Sequence, residues 1–427
     1  MRAWRGSVLL IVTIAAVSAA QVGSLSPAEE RIQTAKAAIQ KNPQRYQAYN
    51  DLAFALVSRG RETSDAKYFG NAAEAVEESL RRAPNNFEAM KAKVEVLLGE
   101  RRWEEAREIA RTLNRSMPDD VPVWGYLAEA ASHLGDDDEA IKATQWMLDL
   151  RRNNTGGLVL AAELRTLHGR LDPALEFYNQ AYQQVPPGEV EQAAFILTQM
   201  AAIELARGQL DSAQKRLDDA IAQFPGYYFS LETLARLRAA QGQNTEAVDL
   251  WRRRNQQAPT PESLYGLAQA LEQDGRADQA RTAWAEFVSV ATPLVRQASN
   301  ANRELVLYHV NYAHDPAEAL RVARVEIARR HDVLTQDAYA WALASNGEYQ
   351  EAKMQMEKAL ALGTKDAVFY YHAGVIASRL NDRAAAERYF QESLALNPAS
   401  MVSADVRREL ASLGARDRSE SLPARGN

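Results

Sequence analysis

A spacing of about 34 residues, repeated along most of the chain, constrains the fold more than any other feature. Alanines recur at equivalent positions; most steps between neighbouring members are about 34 residues, and two steps are about five residues longer. They are Ala106, Ala140, Ala174, Ala213, Ala247, Ala280, Ala319, Ala352 and Ala386. Prolines give an independent ruler, because Pro225, Pro259 and Pro293 keep the same spacing. A period of this length predicts stacked copies of one small structural unit.

Five positions before most of these alanines lies a residue suited to a left-handed helix end. Six are glycines: Gly135, Gly169, Gly208, Gly242, Gly275 and Gly347. His314 and Asn381 take this place in two further copies, and both residue types tolerate that conformation. In the copy at residues 85–118 the nearest glycine is Gly99, two residues earlier, and we expect the turn there. Each copy is therefore predicted to be two helices joined by a short turn.

The copy at residues 366–398 shows the unit most clearly, with a turn expected at Asn381 and Asp382. Gly374 would let the second helix lie close to the first, and Phe390 would fill space toward the next unit. This order of bulky, small and aromatic positions resembles the tetratricopeptide repeat (TPR). One helix pair cannot bury both of its apolar faces. The resemblance implies an all-α fold: a right-handed α-solenoid, a superhelix of about ten repeats with a capping helix at each end.

The domain organisation follows from this phase. We predict a signal peptide at 1–20, an N-terminal capping helix at 26–43, the solenoid at 44–399, a C-terminal capping helix at 400–415 and a disordered tail at 416–427. Within the solenoid, the repeat at 294–332 is degenerate, because its first helix is displaced by about five residues. About seven extra residues within 58–69 are expected to form an exposed loop.

The first 20 residues are typical of a secretory signal peptide. Arg2 and Arg5 precede an apolar run at 8–17, and small residues follow up to Ala20, after which cleavage is expected. The run is short for a membrane span, although an uncleaved anchor is the alternative. The chain has no cysteine, so it lacks the residue of a bacterial lipoprotein anchor. We therefore expect a periplasmic or secreted protein with no membrane span after cleavage.

Composition and motifs argue against several functions. The net charge of −6 disfavours nucleic-acid binding, which usually needs a basic surface. Among six histidines only His309 and His314 are close, and a spacing of five does not suit a helical metal pair. Phosphate-binding loops, dinucleotide-binding glycine patterns and nucleophile elbows are absent from the sequence. We expect no catalytic residue, cofactor or metal, and a protein that is not an enzyme.

The TPR resemblance implies a concave groove lined by the first helix of each repeat. One position of that helix then faces the groove, and it carries Glu95, Glu129 and Glu163 in three successive copies. The predicted groove residues are Lys91, Glu95, Tyr126, Glu129, Glu163, Glu232, Arg236, Tyr265, Tyr308, Trp341, Tyr371 and His372. The N-terminal groove is expected to be acidic and the C-terminal groove aromatic. The alternative is that the glutamates are ordinary solvated positions, because glutamate is a good helix former.

Segments in the last third, at 337–343, 359–364 and 372–376, look like those of exported bacterial TPR proteins of unassigned function. That resemblance implies no activity or ligand. The leading hypothesis is a non-catalytic scaffold of the bacterial cell envelope that binds a protein or peptide, and the acidic groove favours a basic one. The alternatives are binding of an envelope polysaccharide through Tyr265, Tyr308, Trp341 and Tyr371, and a role as an accessory subunit of an enzyme or export complex.

Overall fold

The structure, a computed structural model, describes residues 25–257, 259–297 and 302–420. Within these ranges it contains 22 α-helices, one short 3-10 helix at Thr292–Leu294 and no strand, which confirms the predicted all-α solenoid. The helices are α1 (Pro27–Lys41), α2 (Tyr46–Thr63), α3 (Lys67–Arg82), α4 (Phe87–Gly99), α5 (Trp103–Ser116), α6 (Val121–Leu134), α7 (Asp137–Leu150), α8 (Thr155–Leu167), α9 (Leu171–Gln183), α10 (Val190–Ala206), α11 (Leu210–Gln223), α12 (Tyr228–Ala240), α13 (Asn244–Gln257), α14 (Pro261–Gln273), α15 (Ala277–Ala291), α16 (Arg303–Asn311), α17 (Pro316–Ile327), α18 (Val333–Ser345), α19 (Tyr349–Ala361), α20 (Ala367–Arg379), α21 (Arg383–Leu396) and α22 (Ser403–Glu420).

Ten helix pairs, from α2 and α3 to α20 and α21, form the solenoid. Each helix packs against its partner and against the next pair along the chain, while α1 covers the first pair and α22 the last. The pairs from α2 to α21 are repeats 1 to 10 in chain order. The predicted signal peptide at 1–20 lies outside the described residues and stays a prediction.

Small residues let the helices of the stack approach closely. All nine recurring alanines are at most 2% exposed. Gly374 lies under the Phe390 ring, since a Cβ atom there would be 2.5 Å from the ring. Gly266 in α14 has the same relation to Trp251 in α13, again at 2.5 Å. Aromatic rings therefore pack directly on helix backbone, both within a repeat and between neighbouring repeats.

The turns inside the repeats follow the predicted phase with one exception. The six predicted glycines are left-handed, and so are His314 with φ 51° and Asn381 with φ 59°. The prediction for repeat 2 is wrong, because Arg101 takes the left-handed conformation there, with φ 58°. Gly99 remains in α4, where a Cβ atom would be 2.2 Å from the Phe69 ring. That glycine makes room for an aromatic ring instead of forming the turn.

The extra residues of repeat 1 do not form the exposed loop predicted within residues 58–69. They lengthen α2, which runs to Thr63, and only a short connection precedes α3. The extension contacts the start of α1: the Ser26 hydroxyl donates to Glu62 Oε2 at 2.6 Å, and Arg59 Nη1 donates to the same oxygen at 2.8 Å. Ser26 also caps α1 through a capping box with Glu29. The added turn of helix thus holds the capping helix in place.

At the C-terminus, α22 continues to Glu420, so the predicted disordered tail at 416–427 is wrong for its first five residues. The segment lacks an apolar pattern, but it also lacks a helix breaker before Pro423, and its arginine and glutamate residues are good helix formers. Residues 421–427 lie outside the described part of the chain.

The superhelix winds tightly enough to touch itself. Three hydrogen bonds join residues that are 192 to 197 positions apart. They run from His331 N to Leu134 O, from Thr364 Oγ1 to Leu167 O and from Asn397 Nδ2 to Leu205 O, at 3.1, 2.6 and 3.2 Å. Two ion pairs, Arg31 with Glu189 and Arg101 with Glu262, extend this row toward the N-terminus. We call these five contacts the inter-turn seam. At this seam, the ends of first helices and of the capping helix contact loops of the following superhelical turn.

Candidate functional site

Three glutamates occupy the same position on the first helices of repeats 2, 3 and 4. Glu95 lies on α4, Glu129 on α6 and Glu163 on α8, and all three side chains are partly exposed. Successive members repel each other electrostatically, Glu95 with Glu129 and Glu129 with Glu163. Arg61 on α2 continues the line, with its Nη1 atom 3.5 Å from Glu95 Oε2. We call Glu95, Glu129 and Glu163 the acidic row.

The acidic row holds two carboxylates that are hard to ionise. Burial among the surrounding helices raises the pKa of Glu129 to about 7, with Arg61 opposing the shift and Glu95 adding to it. Burial likewise raises the pKa of Glu163 to about 8, helped by the charge of Glu129. Water reaches both side chains, yet neighbouring protein groups replace part of the hydration that a carboxylate needs. A cation brought to this row would favour the ionised form of both groups.

Two further predicted groove residues at this end already have partners. The Tyr126 hydroxyl donates to Glu95 Oε1 at 2.7 Å. Lys91 is 8% exposed, and its Nζ atom lies 3.0 Å from Asp120 Oδ2 and 3.4 Å from Glu88 Oε1. The structure therefore brings Tyr126 to the acidic row and orients Glu95, whereas Lys91 is buried in an ion pair between neighbouring repeats.

In the middle of the chain, Glu232 lies against a buried cation. Arg254 is 1% exposed, and its Nε atom donates to Glu232 Oε1 at 2.7 Å. The guanidinium also lies 4.8 Å from the centre of the Tyr228 ring. These contacts join the two helices of one repeat, α12 and α13. Arg236, the other predicted groove residue here, is exposed on α12.

The predicted aromatic residues of the C-terminal groove pack against each other and against their neighbours. Trp341 stacks on His372 with 4.1 Å between ring centres, and its Nε1 atom donates to Asn311 Oδ1 at 2.9 Å. His372 is 2% exposed, and its Nδ1 atom donates to Asp337 Oδ1 at 2.7 Å. Tyr371 lies beside Trp341 at 6.0 Å. One face of the Trp341 ring is therefore covered, while Trp341 and Tyr371 both stay partly exposed.

The remaining two predicted aromatics belong to a neighbouring cluster. Tyr265 is 9% exposed and meets Trp284 edge-on at 5.2 Å. Tyr308 is partly exposed, and it lies 5.3 Å from Trp284 and stacks on Tyr312 at 5.4 Å. These contacts hold the degenerate repeat 8 against repeat 7.

A charged cluster near the starts of the first helices of repeats 8, 9 and 10 was not predicted. Arg303 lies 3.6 Å from Glu304 and interacts electrostatically with Asp337 and Asp366. Asp337 is fully buried, and its Oδ2 atom has no hydrogen-bond partner in the described part of the chain. Arg303 and Asp337 keep the 34-residue spacing, but Asp366 follows after only 29 residues, so the repeat spacing alone does not predict the cluster.

An ion pair of the inter-turn seam also went unpredicted. Arg101 Nη1 lies 2.5 Å from Glu262 Oε1, although the two residues are 161 positions apart. Arg101 also interacts with Glu304 and Tyr228, both on first helices. The pair therefore faces the inside of the superhelix, where charges from two superhelical turns meet.

The groups described above make ionic and hydrogen-bonding contacts with one another. Within the residues that the structure describes, no three or more histidine, aspartate or glutamate side chains are arranged to hold a metal ion. None of the helices these residues form is both long enough and apolar enough to cross a membrane.

Comparison with known proteins assigns the family. Models of the tetratricopeptide repeat match residues 69–120, 232–287 and 367–400. No curated protein sequence matches the chain. Among solved structures, Cut9 in the APC/C hetero-tetramer Cut9-Hcn1 is 13% identical with a TM-score of 0.51, over 91% of this chain and 84% of that one.

Two further structures are less similar. The human IFIT1 dimer with PPP-AAAA is 13% identical with a TM-score of 0.47, over 87% of this chain and 95% of that one. PilW, a type IV pilus biogenesis factor, is 16% identical with a TM-score of 0.39, over 48% of this chain and 92% of that one. The likeness to Cut9-Hcn1 shows the fold alone. With three matched segments and ten stacked helix pairs, the chain is a tetratricopeptide-repeat protein.

Proposed function

We propose that this protein is a non-catalytic scaffold of the bacterial cell envelope that binds a basic polypeptide segment in its concave groove. The acidic row carries the proposal: three partly exposed carboxylates, one per repeat, follow one line along the groove. The tetratricopeptide repeats support a role in protein–protein interaction. Lysine or arginine side chains spaced along an extended segment would each meet one carboxylate.

Electrostatics favours such a partner. Burial raises the pKa values of Glu129 and Glu163 to about 7 and about 8, so at neutral pH these carboxyl groups are only partly ionised until a cation lies beside them. A lysine or arginine placed beside them supplies that charge. Complementary charge of this kind steers association and sets orientation.

The polysaccharide alternative receives less support. Binding a sugar through aromatic residues requires an open ring face. Trp341 uses a face to stack on His372, and Tyr265 is buried against Trp284. The accessory-subunit alternative is one form of scaffold and is compatible with the proposal.

The cellular location rests on the sequence of residues 1–20. Expression of the full chain in a bacterial host, followed by fractionation and N-terminal sequencing, tests it. A mature N-terminus after Ala20 in the periplasm or medium supports export, and an unprocessed protein in the cytoplasm refutes it.

The groove is tested with a short lysine-rich peptide and the mature chain. Glu95→Gln, Glu129→Gln and Glu163→Gln together should weaken binding about tenfold, because three contacts of about 0.5 kcal/mol each are lost. The salt dependence of the affinity should also become shallower. Fluorescence anisotropy at several salt concentrations measures both quantities.

The matched control changes the same number of glutamates on the second helices. Glu77, Glu104 and Glu246 have side chains that are 63%, 66% and 60% exposed, and their change to glutamine should leave the affinity unaltered. Equal affinity and equal salt dependence for both triple variants would refute the acidic groove. Crosslinking the tagged protein in its native envelope, with the acidic-row variant as reference, then identifies the physiological partner.

A further inference from the structure

We infer that the concave groove is a closed channel in the free protein, and that its partner is an extended chain that enters through a free end. This inference rests on the proposed function and specifies its partner. A folded surface lying across an open groove is thereby excluded as the mode of binding.

The inter-turn seam extends along most of the solenoid. Its five contacts begin at the N-terminal capping helix with Arg31, continue through repeats 2, 3 and 4, and end at repeat 5 with Leu205. On the opposite side, the partners extend from Glu189 to Asn397, just before the C-terminal capping helix. Successive turns of the superhelix, which we call levels, therefore contact each other at several places along the seam rather than at a single point.

At two places the backbones themselves are in contact. A Cβ atom on Gly169 would lie 2.1 Å from the carbonyl oxygen of Gly363. A Cβ atom on Gly135 would lie 2.6 Å from the carbonyl carbon of His331. Both glycines are left-handed residues in the short turn between two helices of a repeat. At each glycine this short turn packs against a loop of the next superhelical turn. There is no space for a polypeptide to pass between the two levels there.

The interior behind the seam is enclosed but wet. Arg61 interacts electrostatically with Glu95, Glu129 and Glu191, which lie on three other first helices. Its side chain is nevertheless 49% exposed, and that of Arg101 is 39% exposed. These charged groups interact electrostatically across several helices and still contact water. They therefore line a solvent-filled channel. The acidic row is part of this wall.

Closure determines which partners reach the acidic row. A folded domain is too wide to enter a superhelix whose levels touch, whereas an extended segment needs only the width of one chain. The free end of a basic tail can enter at an end of the superhelix. An internal basic loop, held at both sides by folded domains, has no end to thread.

The experiment uses one lysine-rich peptide in three forms: with both ends free, fused at one end to a small folded protein, and flanked by folded proteins at both ends. The first two forms should bind with similar affinity. The doubly flanked form should bind at least about 100-fold more weakly, because it cannot enter without steric conflict. Equal binding of the second and third forms would overturn the inference.

Crosslinking the seam distinguishes a peptide that enters through an end of the channel from one that enters when the seam opens. The chain has no cysteine, so an introduced pair is the only thiol pair available. Arg31→Cys with Glu189→Cys lies at one ion pair of the seam. Arg170→Cys with Lys365→Cys lies beside Gly169, whose Cβ position is 2.9 Å from Lys365 Cγ. Each pair can be joined with a short bismaleimide, and the yield is read by mass spectrometry.

The control joins Arg111→Cys with Glu139→Cys, which replaces a 2.7 Å ion pair between α5 and α7 within one superhelical turn. Locking either seam pair should leave the affinity for the singly fused peptide within about twofold of that control. Loss of binding on locking the seam, but not the control pair, would show that entry needs the seam to open and would overturn end entry. A free peptide that fails to bind the unmodified protein would instead reject the proposed function and say nothing against closure.

Discussion

The two halves of the solenoid use the same repeat position for different purposes. In repeats 2 to 4 the groove-facing position carries Glu95, Glu129 and Glu163, which remain partly exposed. In repeats 8 and 9 the equivalent position carries Tyr308 and Trp341, whose rings pack on neighbouring aromatic side chains. The same helix position thus presents charge in one half and contributes packing in the other. Binding and stability should therefore respond to substitutions in different halves.

The largest effect should come from Gly374→Leu in the C-terminal half. The new side chain would clash with the Phe390 ring, and overpacking of this kind costs about 3 kcal/mol of unfolding free energy. Repeats 9 and 10 pack mainly on their neighbours along the chain and meet repeats 3 to 5 only at the seam, so the loss of hydrogen-exchange protection should concentrate in repeats 9 and 10. Hydrogen exchange read by mass spectrometry, with peptide binding measured in parallel, tests whether the acidic row stays functional.

Gly70→Leu is the control for that change. A Cβ atom on Gly70 has no neighbour within 4 Å, so this variant should not lower the unfolding free energy. Protection lost evenly over all repeats in Gly374→Leu would contradict the local effect.

Trp341→Ala should cost less, about 2 kcal/mol, since the ring is only half-buried but loses its stacking on His372 and its hydrogen bond to Asn311. Affinity for a lysine-rich peptide should stay unchanged. Denaturant unfolding and anisotropy measure the two quantities. Trp146→Ala, which truncates a 45% exposed tryptophan of α7, should cost under about 1 kcal/mol. A large loss of peptide affinity in Trp341→Ala would place the ligand in the aromatic half instead.

The acidic half should show a characteristic pH dependence. Glu129 and Glu163 have folded-state pKa values of about 7 and about 8, above the ordinary value of 4.5. Between the ordinary and the raised pKa values, the folded protein binds more protons than the unfolded chain. The unfolding free energy should therefore fall as pH rises from about 5 to about 8. Glu129→Gln with Glu163→Gln should flatten this slope in denaturant titrations.

Glu318→Gln in the C-terminal half provides the comparison for that titration. The hydrogen bond from Arg321 lowers the pKa of Glu318, so its contribution is lost only as pH falls below about 4.5. This variant should keep the slope between pH 5 and 8. An unchanged slope in the double glutamine variant would refute the assignment of that pH dependence to the acidic row.

The smallest effect should come from Arg61→Gln. Arg61 is a positive charge 3.5 Å from Glu95, so its removal takes away repulsion toward a lysine-rich peptide and should strengthen binding about twofold to threefold at low salt. Arg236→Gln, at an exposed groove position outside the acidic row, should change the affinity less. Weaker binding in Arg61→Gln would indicate that the ligand also carries a negative group.

The sequence predicted what is local and periodic. The repeat spacing predicts the turns at Gly135 and Asn381 and the buried alanines. It does so because the two helices of every copy pack against each other in the same way. Glycine use was ambiguous at Gly99, since a glycine serves equally for a left-handed turn and for contact with an aromatic ring. The helical extension to Thr63 depends on contacts with α1, which lie outside the repeat pattern.

The candidate site was predictable only in part. The repeat spacing places the three glutamates at equivalent positions, but their altered pKa values depend on how many helices surround them. Arg101 and Glu262 meet because the superhelix completes a turn at that distance, and the pitch is set by small rotations between repeats. Such rotations leave no periodic trace in the sequence, so neither the seam nor the closure of the groove could be anticipated.

The inter-turn seam also fixes the number of repeats between its two sides. An open array of repeats tolerates the gain or loss of a unit, because each unit interacts only with its neighbours. Here, deleting one repeat between Leu167 and Thr364 would shift every later loop by about 34 residues against its partner on the level below. The backbone contact at Gly169 permits no such offset. Duplication and deletion, the usual sources of variation in repeat arrays, are therefore restricted to units outside the closed part.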